Sequence, residues 1–388
     1  MPLQPAHRIS HIKPYFFSEL AKRITAMRAA GVDVVRLDIG SPDLPPPGFI
    51  LESLFAAASQ PSTHGYMLGL TAPFRAAVAQ YYKQRFGVEL DPKSEVVDLI
   101  GSKEGLFILS QAVLNPGDLS LVPDPGYSVY AMSTQIAGGE VYKMPLLAEN
   151  AFLPDYDSIP ADVLQRAKIL WLNYPNNPTG AIADMAFFER TIAFARKHDL
   201  LVAHDNPYCD VGYNGYQAPS LLQVPGAKEV ALEFNSLSKT YNMAGWRVGM
   251  AVGQPEAIKY IETYKSQQDS AIFAPLMAAG EAAMLGDQSW LAERNRIYQD
   301  RRDAAIDGLH RAAIQVAPPQ ASLYIWAPVP GGEPSMDFCA RLLEDTGVSV
   351  TPGVVFGQHG EGYFRISLVT DIERIREGVE RIAKWLHK

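Results

Sequence analysis

The sequence predicts an α/β fold: a mainly parallel, partly mixed sheet flanked by helices in a large domain, joined to a smaller α+β domain built from both chain ends. Three observations carry this. From about residue 96, short β-branched runs alternate with helical patterns, the order expected of a parallel sheet with helical crossovers. Around residue 287 the alternation gives way to a long charged, heptad-like segment, 289–313, and then a smaller mixed portion. The 388 residues are 47% apolar and 20% charged, enough for two or three lobes with large cores and no need of disulfides or metals.

The elements follow in order. The first forty or so residues stand apart from the sheet and stop at Pro45-Pro46-Pro47. They are expected to pack with the C-terminal portion, so the chain divides into 1–45, 46–286 and 287–388. Val96 to Ile100 reads as a strand that runs into Gly101-Ser102-Lys103-Glu104-Gly105 and a helix through about Leu114. Further strands are expected at 119–122, 140–144, 169–173, 200–204, 230–234 and 248–252, with helices near 128–137, 184–198 and 255–265. The apolar stretch 272–286 is broken by Glu281 and is too short to span a membrane; it reads as a buried helix. A last helix is expected over 371–387.

Charge narrows the partners. Lys and Arg number 34 against 42 Asp and Glu, a net charge of −8, and no basic run exceeds two residues. A nucleic-acid or anionic-membrane surface needs clustered cations, so neither is expected. Cys209 and Cys339 have no CxxC spacing, which supports neither a disulfide framework nor a zinc site. With no secretory pattern at the N-terminus, a cytoplasmic protein with no resident metal is expected.

The informative polar residues fall just after predicted strands, where open α/β sheets place ligands. Ser102 and Lys103 follow one strand, Asn177 another, Asp205 and Tyr208 a third, and Ser236 to Lys239 a fourth. Singly, each has a plain alternative: a helix cap for Gly-Ser, a turn for Asn-Asn-Pro-Thr-Gly. In Ser236-Leu237-Ser238-Lys239-Thr240-Tyr241-Asn242-Met243-Ala244-Gly245-Trp246-Arg247, a lysine preceded by two serines is followed eight residues later by an arginine. Such a lysine can attack an aldehyde beside a phosphate site if neighbouring cations or desolvation keep its amine neutral. The chain has neither the GxxxxGK frame of a P-loop nor a GxGxxG.

With these residues in hand, the sequence resembles the pyridoxal-phosphate aminotransferases of the class I/II family, of fold type I, and within it the LL-diaminopimelate aminotransferases. The markers, in order, are Asp38-Ile39-Gly40-Ser41-Pro42-Asp43-Leu44, Gly101 to Gly105, Tyr174-Pro175-Asn176-Asn177-Pro178-Thr179-Gly180, Ser236 to Arg247, and Tyr363-Phe364-Arg365-Ile366-Ser367. The resemblance spans about Tyr15 to Trp385.

It implies a role for each residue. Lys239 would carry the cofactor covalently and shuttle the substrate proton. Asp205 would pair with the pyridine nitrogen, Tyr208 and Asn177 would hydrogen-bond its phenolic oxygen, and Tyr127 would stack on its ring. Ser102, Lys103, Ser236, Ser238 and Arg247 would hold the phosphate, joined by Tyr66 of a neighbouring subunit, which implies a homodimer with shared sites. Arg365 would fork onto the substrate α-carboxylate, with Gly40, Tyr15, Lys103 and Asn177 also at the substrate. Trp246 is expected in the core.

Two features depart from the diaminopimelate relatives. Those carry an acidic residue and a glycine between the tyrosine matched by Tyr66 and the next Phe-Arg pair. Here Tyr66-Met67-Leu68-Gly69-Leu70-Thr71-Ala72-Pro73-Phe74-Arg75 is one residue shorter and has no carboxylate. Met67, Leu68 and Leu70 would line an apolar pocket or pack between subunits. Between Asp205 and Tyr208 stands Asn206-Pro207 instead of small residues. The expected function is ping-pong transfer of an amino group from an L-amino acid, diaminopimelate or a relative, to a 2-oxo acid such as 2-oxoglutarate. The same site is also compatible with a β-lyase of the cystathionine β-lyase-like type. A cofactor-sensing regulator would need a DNA-binding domain, for which residues 1–40 are too short.

Overall fold

The computed structural model describes residues 3–10, 12, 15–67, 71–269 and 271–387. Twelve strands are formed among them: β1 (Val35–Arg36), β2 (Val96–Leu99), β3 (Leu119–Asp124), β4 (Glu140–Pro145), β5 (Ala167–Leu172), β6 (Leu201–Asp205), β7 (Ala231–Ser236), β8 (Gly249–Gly253), β9 (Tyr324–Pro328), β10 (Val348–Ser349), β11 (Thr351–Pro352) and β12 (Tyr363–Ser367). Seven of them make the central sheet in the order β2-β8-β7-β6-β5-β3-β4. β8 runs antiparallel to both neighbours and the other pairs are parallel. The fold is thus the mixed α/β architecture expected.

Both faces of this sheet are covered, and the side chains show it with period two. Val97 and Leu99 of β2 and Ile169 and Trp171 of β5 enter one core with Leu106, Leu109, Ile258 and Ile261 from the helices Ser102–Val113 and Pro255–Lys265. Their neighbours Val96, Leu170 and Leu172 enter a second core, against Phe74, Val78, Phe188 and Met277 from the helices Ala72–Phe86, Met185–His198 and Ala274–Leu285. Asp184 caps the helix after β5 by accepting from the Phe187 amide at 2.7 Å. Strand ends are where the sequence reading erred. β3 continues to Asp124 and β7 to Ser236, because backbone pairing persists into polar residues, Asp124 opposite Pro145 and Ser236 opposite Gly249.

A further core joins the two chain ends. Val35 and Leu37 pack with Leu323, Ile325, Phe338, Phe364, Ile375 and Val379, β1 pairs in parallel with β10, and β11-β12-β9 form an antiparallel sheet. Tyr208, Val211 and Tyr213, from the segment after β6, belong to the same core. The helix Trp290–Arg311, about 33 Å long and 22 residues, packs along the helix Ile372–Leu386. Within this charged helix Arg294, Arg301 and Arg302 are buried. Arg301 pairs with Asp43 through two bonds of 2.7 and 2.8 Å. No helix among the described residues is long and apolar enough to cross a membrane.

Where these two helices cross, a Cβ on Gly308 would lie 2.5 Å from Val379 Cβ. Gly308→Ala is therefore expected to lower stability by roughly 1–3 kcal/mol through overpacking, and Val379→Ala in the same chain to recover part of it. Denaturant midpoints of the single and double variants check this.

Candidate active site

The ends of β2, β3, β5, β6 and β7 converge on one cleft of about 550 Å³. Its walls include Tyr15, Gly40, Ser102, Lys103, Tyr127, Asn177, Asp205, Tyr208, Ser236, Ser238, Lys239, Arg247 and Arg365. Every residue singled out in the sequence is here except Tyr66, which is 81% exposed and outside the cleft. Met67 lines a separate depression beside Arg75 and Asp98; Leu68 and Leu70 lie outside the described residues. Trp246 packs, partly buried, against a core.

Asp205 ends β6 and is buried. Its Oδ2 accepts from the Tyr130 hydroxyl at 2.7 Å, and its Oδ1 has no partner. Burial pushes its carboxyl up to about 6, against the hydrogen bond from Tyr130 and the charges of His204 and Lys239. Tyr130 itself is stacked on Trp171, centroids 5.2 Å apart, and meets Tyr127 edge-on at 5.8 Å.

Lys239 sits in the short helix Leu237–Thr240, capped by Ser236, whose Oγ accepts from the Ser238 amide at 3.2 Å. Its Nζ donates to the Gly40 carbonyl. Burial lowers the amine to about 8, with Arg365 and Arg247 adding to the effect and Asp205 opposing it. Arg294 clasps the far side of this helix, Nη1 donating to the carbonyls of Lys239 and Thr240 at 2.6 and 2.7 Å and Nη2 to that of Asp210 at 2.6 Å.

Arg365, on β12, is buried. Its Nη1 donates to Asn177 Oδ1 and its Nη2 to the Asp38 carbonyl, both at 2.8 Å, while Nε has no partner. The guanidinium lies 4.2 Å from the Tyr324 ring centroid and 4.8 Å from that of Phe356. The Asn177 amide donates to Asn173 Oδ1 at 2.8 Å, and Asn173 Nδ2 to the Asp205 carbonyl at 2.7 Å. One amide chain therefore links Arg365 to Asp205. The Tyr208 and Tyr324 hydroxyls are 3.0 Å apart.

At the opposite end, Gly101 adopts a left-handed φ of 76° and opens the helix Ser102–Val113, whose first amides have no partner inside the helix. Gly249 makes room for it, since a Cβ there would lie 2.7 Å from the Ser102 nitrogen. Ser236 and Ser238 share a hydroxyl bond of 2.9 Å, and Arg247 donates to the Ala244 carbonyl at 2.9 Å. These groups face the cleft as an anion cradle. The Lys103 ammonium lies 5.3 Å from the Tyr15 ring centroid, its pKa lowered by burial and by Arg247.

The sequence reading missed Tyr130, Asn173 and Tyr324. Tyr130 had a signal, since it lies in the first turn of the helix Val129–Ile136, just after the loop from β3 that carries Tyr127. Tyr324, inside the apolar run Leu323-Tyr324-Ile325-Trp326, had none.

The family Aminotransferase class I and II matches residues 32–382. The chain belongs to the class I and II aminotransferases. This aminotransferase is 50% identical over 388 residues to the LL-diaminopimelate aminotransferase of Moorella thermoacetica, covering 100% of this chain and 99% of that one. It is 50% identical to that of Syntrophobacter fumaroxidans, covering 99% of each. Among solved structures it is similar to substrate-bound BacF from Bacillus subtilis, with TM-score 0.95, 38% identity and coverage of 99% and 98%. A probable N-succinyldiaminopimelate aminotransferase from Thermus thermophilus gives TM-score 0.90 at 40% identity, covering 95% and 99%. The protein is thus a pyridoxal 5'-phosphate-dependent transaminase.

The cleft fits that cofactor. It offers an unpartnered buried carboxylate oxygen on Asp205 for a pyridinium N–H, an amine of lowered pKa for an aldehyde, and an anion cradle for a phosphate. A raised Asp205 pKa means that the folded apo-protein holds this proton more tightly than the unfolded chain does. Its stability therefore falls as pH rises from the ordinary carboxyl value through about 6. At pH 7 the apo form of Asp205→Asn is expected to be more stable than the unaltered apo-protein by roughly 1–3 kcal/mol, the gain shrinking toward pH 4. Urea unfolding of both apo forms at the two pH values measures it.

Proposed function

We propose that this transaminase takes the amino group of a dicarboxylic L-amino acid of the LL-diaminopimelate kind and delivers it to a 2-oxo acid such as 2-oxoglutarate in a ping-pong cycle. The observation that carries the substrate class is the 50% identity, from end to end, to enzymes named for that substrate. Lys103 supports it: a cation in the cleft with no carboxylate partner of its own among the described residues, it suits a second, distal carboxylate. The lining acids, Asp38 and Asp205, are committed to Arg36 and Tyr130.

Pyridoxal phosphate, when bound, supplies an electron sink for the carbanion left at the substrate α-carbon. The chain does the rest. Arg365 binds the α-carboxylate through its fork, with Asn177 and the Gly40 backbone fixing its direction. Lys239, whose lowered pKa of about 8 leaves a large share of its amine neutral near that pH, would hold the cofactor and, once released, would take the substrate α-proton as a general base. Asp205 keeps the pyridine nitrogen protonated, Tyr208 and Asn177 hold the phenolic oxygen, and Tyr127 covers one ring face. The backbone amides of Ser102 and Lys103, with Ser236, Ser238 and Arg247, hold the phosphate. We further assign residues 46–286 to the cofactor domain and 1–45 with 287–388 to the smaller one, and place the enzyme in the cytoplasm, in keeping with two buried, unpaired cysteines.

Two experiments test this reading. In a donor-panel half-reaction, LL-diaminopimelate is expected to convert one equivalent of cofactor to the pyridoxamine form faster than alanine or aromatic amino acids do. Continuous pyruvate and ammonia release from a cysteine conjugate would instead establish a β-lyase. Lys239→Ala is expected to lose at least about a thousandfold in kcat while keeping its fold.

We assign the exposed Tyr66 to the phosphate of a second copy, which makes the active unit a homodimer. Tyr66→Phe then weakens cofactor binding. Hybrids of Tyr66→Phe with Lys239→Ala regain one normal site per dimer, because the Lys239→Ala subunit supplies its Tyr66 to the site that keeps the lysine. Cofactor titration of the mixed sample checks this, and hybrids no better than Tyr66→Phe alone overturn the shared site.

A further inference from the structure

Tyr324 begins β9, is 2% exposed, and touches three groups of the cleft that come from distant parts of the chain. Its ring carries the Arg365 guanidinium at 4.2 Å. Its hydroxyl is 3.0 Å from that of Tyr208, the two rings meeting edge-on with centroids 5.6 Å apart. A Cβ on Gly40 would lie 2.5 Å from that hydroxyl, so the space it occupies exists because residue 40 has no side chain.

We propose that Tyr324 is a positioning residue whose hydroxyl donates to Tyr208 Oη and so commits the single Tyr208 proton to the cofactor's phenolic oxygen. Each tyrosine hydroxyl has one proton to give and lone pairs to accept. Between the two hydroxyls alone, either can be donor. Once Tyr208 spends its proton on the phenolic oxygen, as the proposed function has it, the 3.0 Å contact is a hydrogen bond only if Tyr324 donates. An accepted hydrogen bond in turn makes the Tyr208 O–H a stronger donor. A stronger donor withdraws the electron density that would otherwise keep a proton on the neighbouring lysine nitrogen. Tyr324 thus acts through Tyr208, and this inference rests on the Tyr208 assignment.

The visible spectrum of the holoenzyme reads this directly, because its pH midpoint reports the proton on the Lys239 nitrogen. The charged groups around that nitrogen are Arg365 from β12, Arg247 from the segment after the lysine helix, and Asp205 from β6; Lys103, Arg36 and Asp38 line the same cleft. The titratable tyrosines there, besides Tyr208 and Tyr324, are Tyr15 and Tyr127. Tyr324→Phe alters none of them and keeps the ring beneath Arg365. Its midpoint is expected to rise by about half a unit to one unit, the size of one lost neutral hydrogen bond, with the KM for the amino donor unchanged. Tyr208→Phe is expected to raise it at least as far, and the double variant no further than Tyr208→Phe alone. Gly40→Ala, which presses a methyl against the Tyr324 hydroxyl, is expected to shift it in the same direction.

An unmoved midpoint in Tyr324→Phe overturns the proposal, as does a shift that adds in full to that of Tyr208→Phe, or a raised KM with the midpoint unchanged. An unmoved midpoint in Tyr208→Phe is a different failure: it removes the Tyr208 assignment itself.

Discussion

Arg365 is a buried guanidinium with no carboxylate beside it among the described residues. The Asn177 amide oxygen, the Asp38 carbonyl, the Thr351 hydroxyl and the rings of Tyr324, Phe356 and Phe17 surround it, and its Nε is left over. Burying a cation this way is costly unless an anion arrives. The same holds across the cleft: Asp205 keeps an oxygen without a proton donor, and Lys239 has only a carbonyl to bind. The fold stores these unmet interactions in one place and spreads their support widely. Strands β2 to β7 and the two cores on the sheet faces exist, in effect, to hold such groups within reach of a single bound molecule.

That arrangement explains how a chain of net charge −8 makes an anion site. Lys103, Lys239, Arg247 and Arg365 are separated by up to hundreds of residues but share one cleft. At such short range local charge outweighs the global sum, which is screened beyond about 8–10 Å in physiological salt. Burial depresses the Lys239 amine, and Arg365 and Arg247 add to it because both disfavour a third positive charge. The cations that line the cleft thus add to what burial does to the lysine amine.

Much of this was legible in the sequence, for a physical reason. In a sheet whose central strands are mostly parallel, strand ends meet at one cleft edge, so Asp205, Ser236 and Asn177 are legible together, as polar residues after several strands, though none is so alone. What stayed hidden depends on tertiary contact. Tyr324 reads as one more apolar strand residue, and only the approach of β9 to the Tyr208 segment gives its hydroxyl a role. Asn173 reads as the end of a strand, yet its side chain bonds both the Asn177 amide and the Asp205 carbonyl. The helix Trp290–Arg311 reads only as a charged, heptad-like segment, because charge pattern cannot say that a backbone carbonyl will stand where water would.

Those arginines hold the cleft together. Arg294 and Arg301 are seven residues apart, two turns along one face of the same helix. Arg294 grips the carbonyls that close the lysine helix, and Arg301 grips Asp43 and the Leu368 carbonyl. One rigid rod therefore fixes Lys239 relative to the segment that carries Gly40, whose carbonyl the lysine amine touches. The Leu37 carbonyl extends the same support, accepting from the Ser367 amide at 2.8 Å, two residues beyond Arg365. A charged side chain is suited to this because its donors fork onto several carbonyls at once, which an apolar residue of the same volume cannot do. Burying two guanidinium groups is thus offset by the helix-end and loop carbonyls they satisfy, groups that would otherwise stand unpaired in the interior.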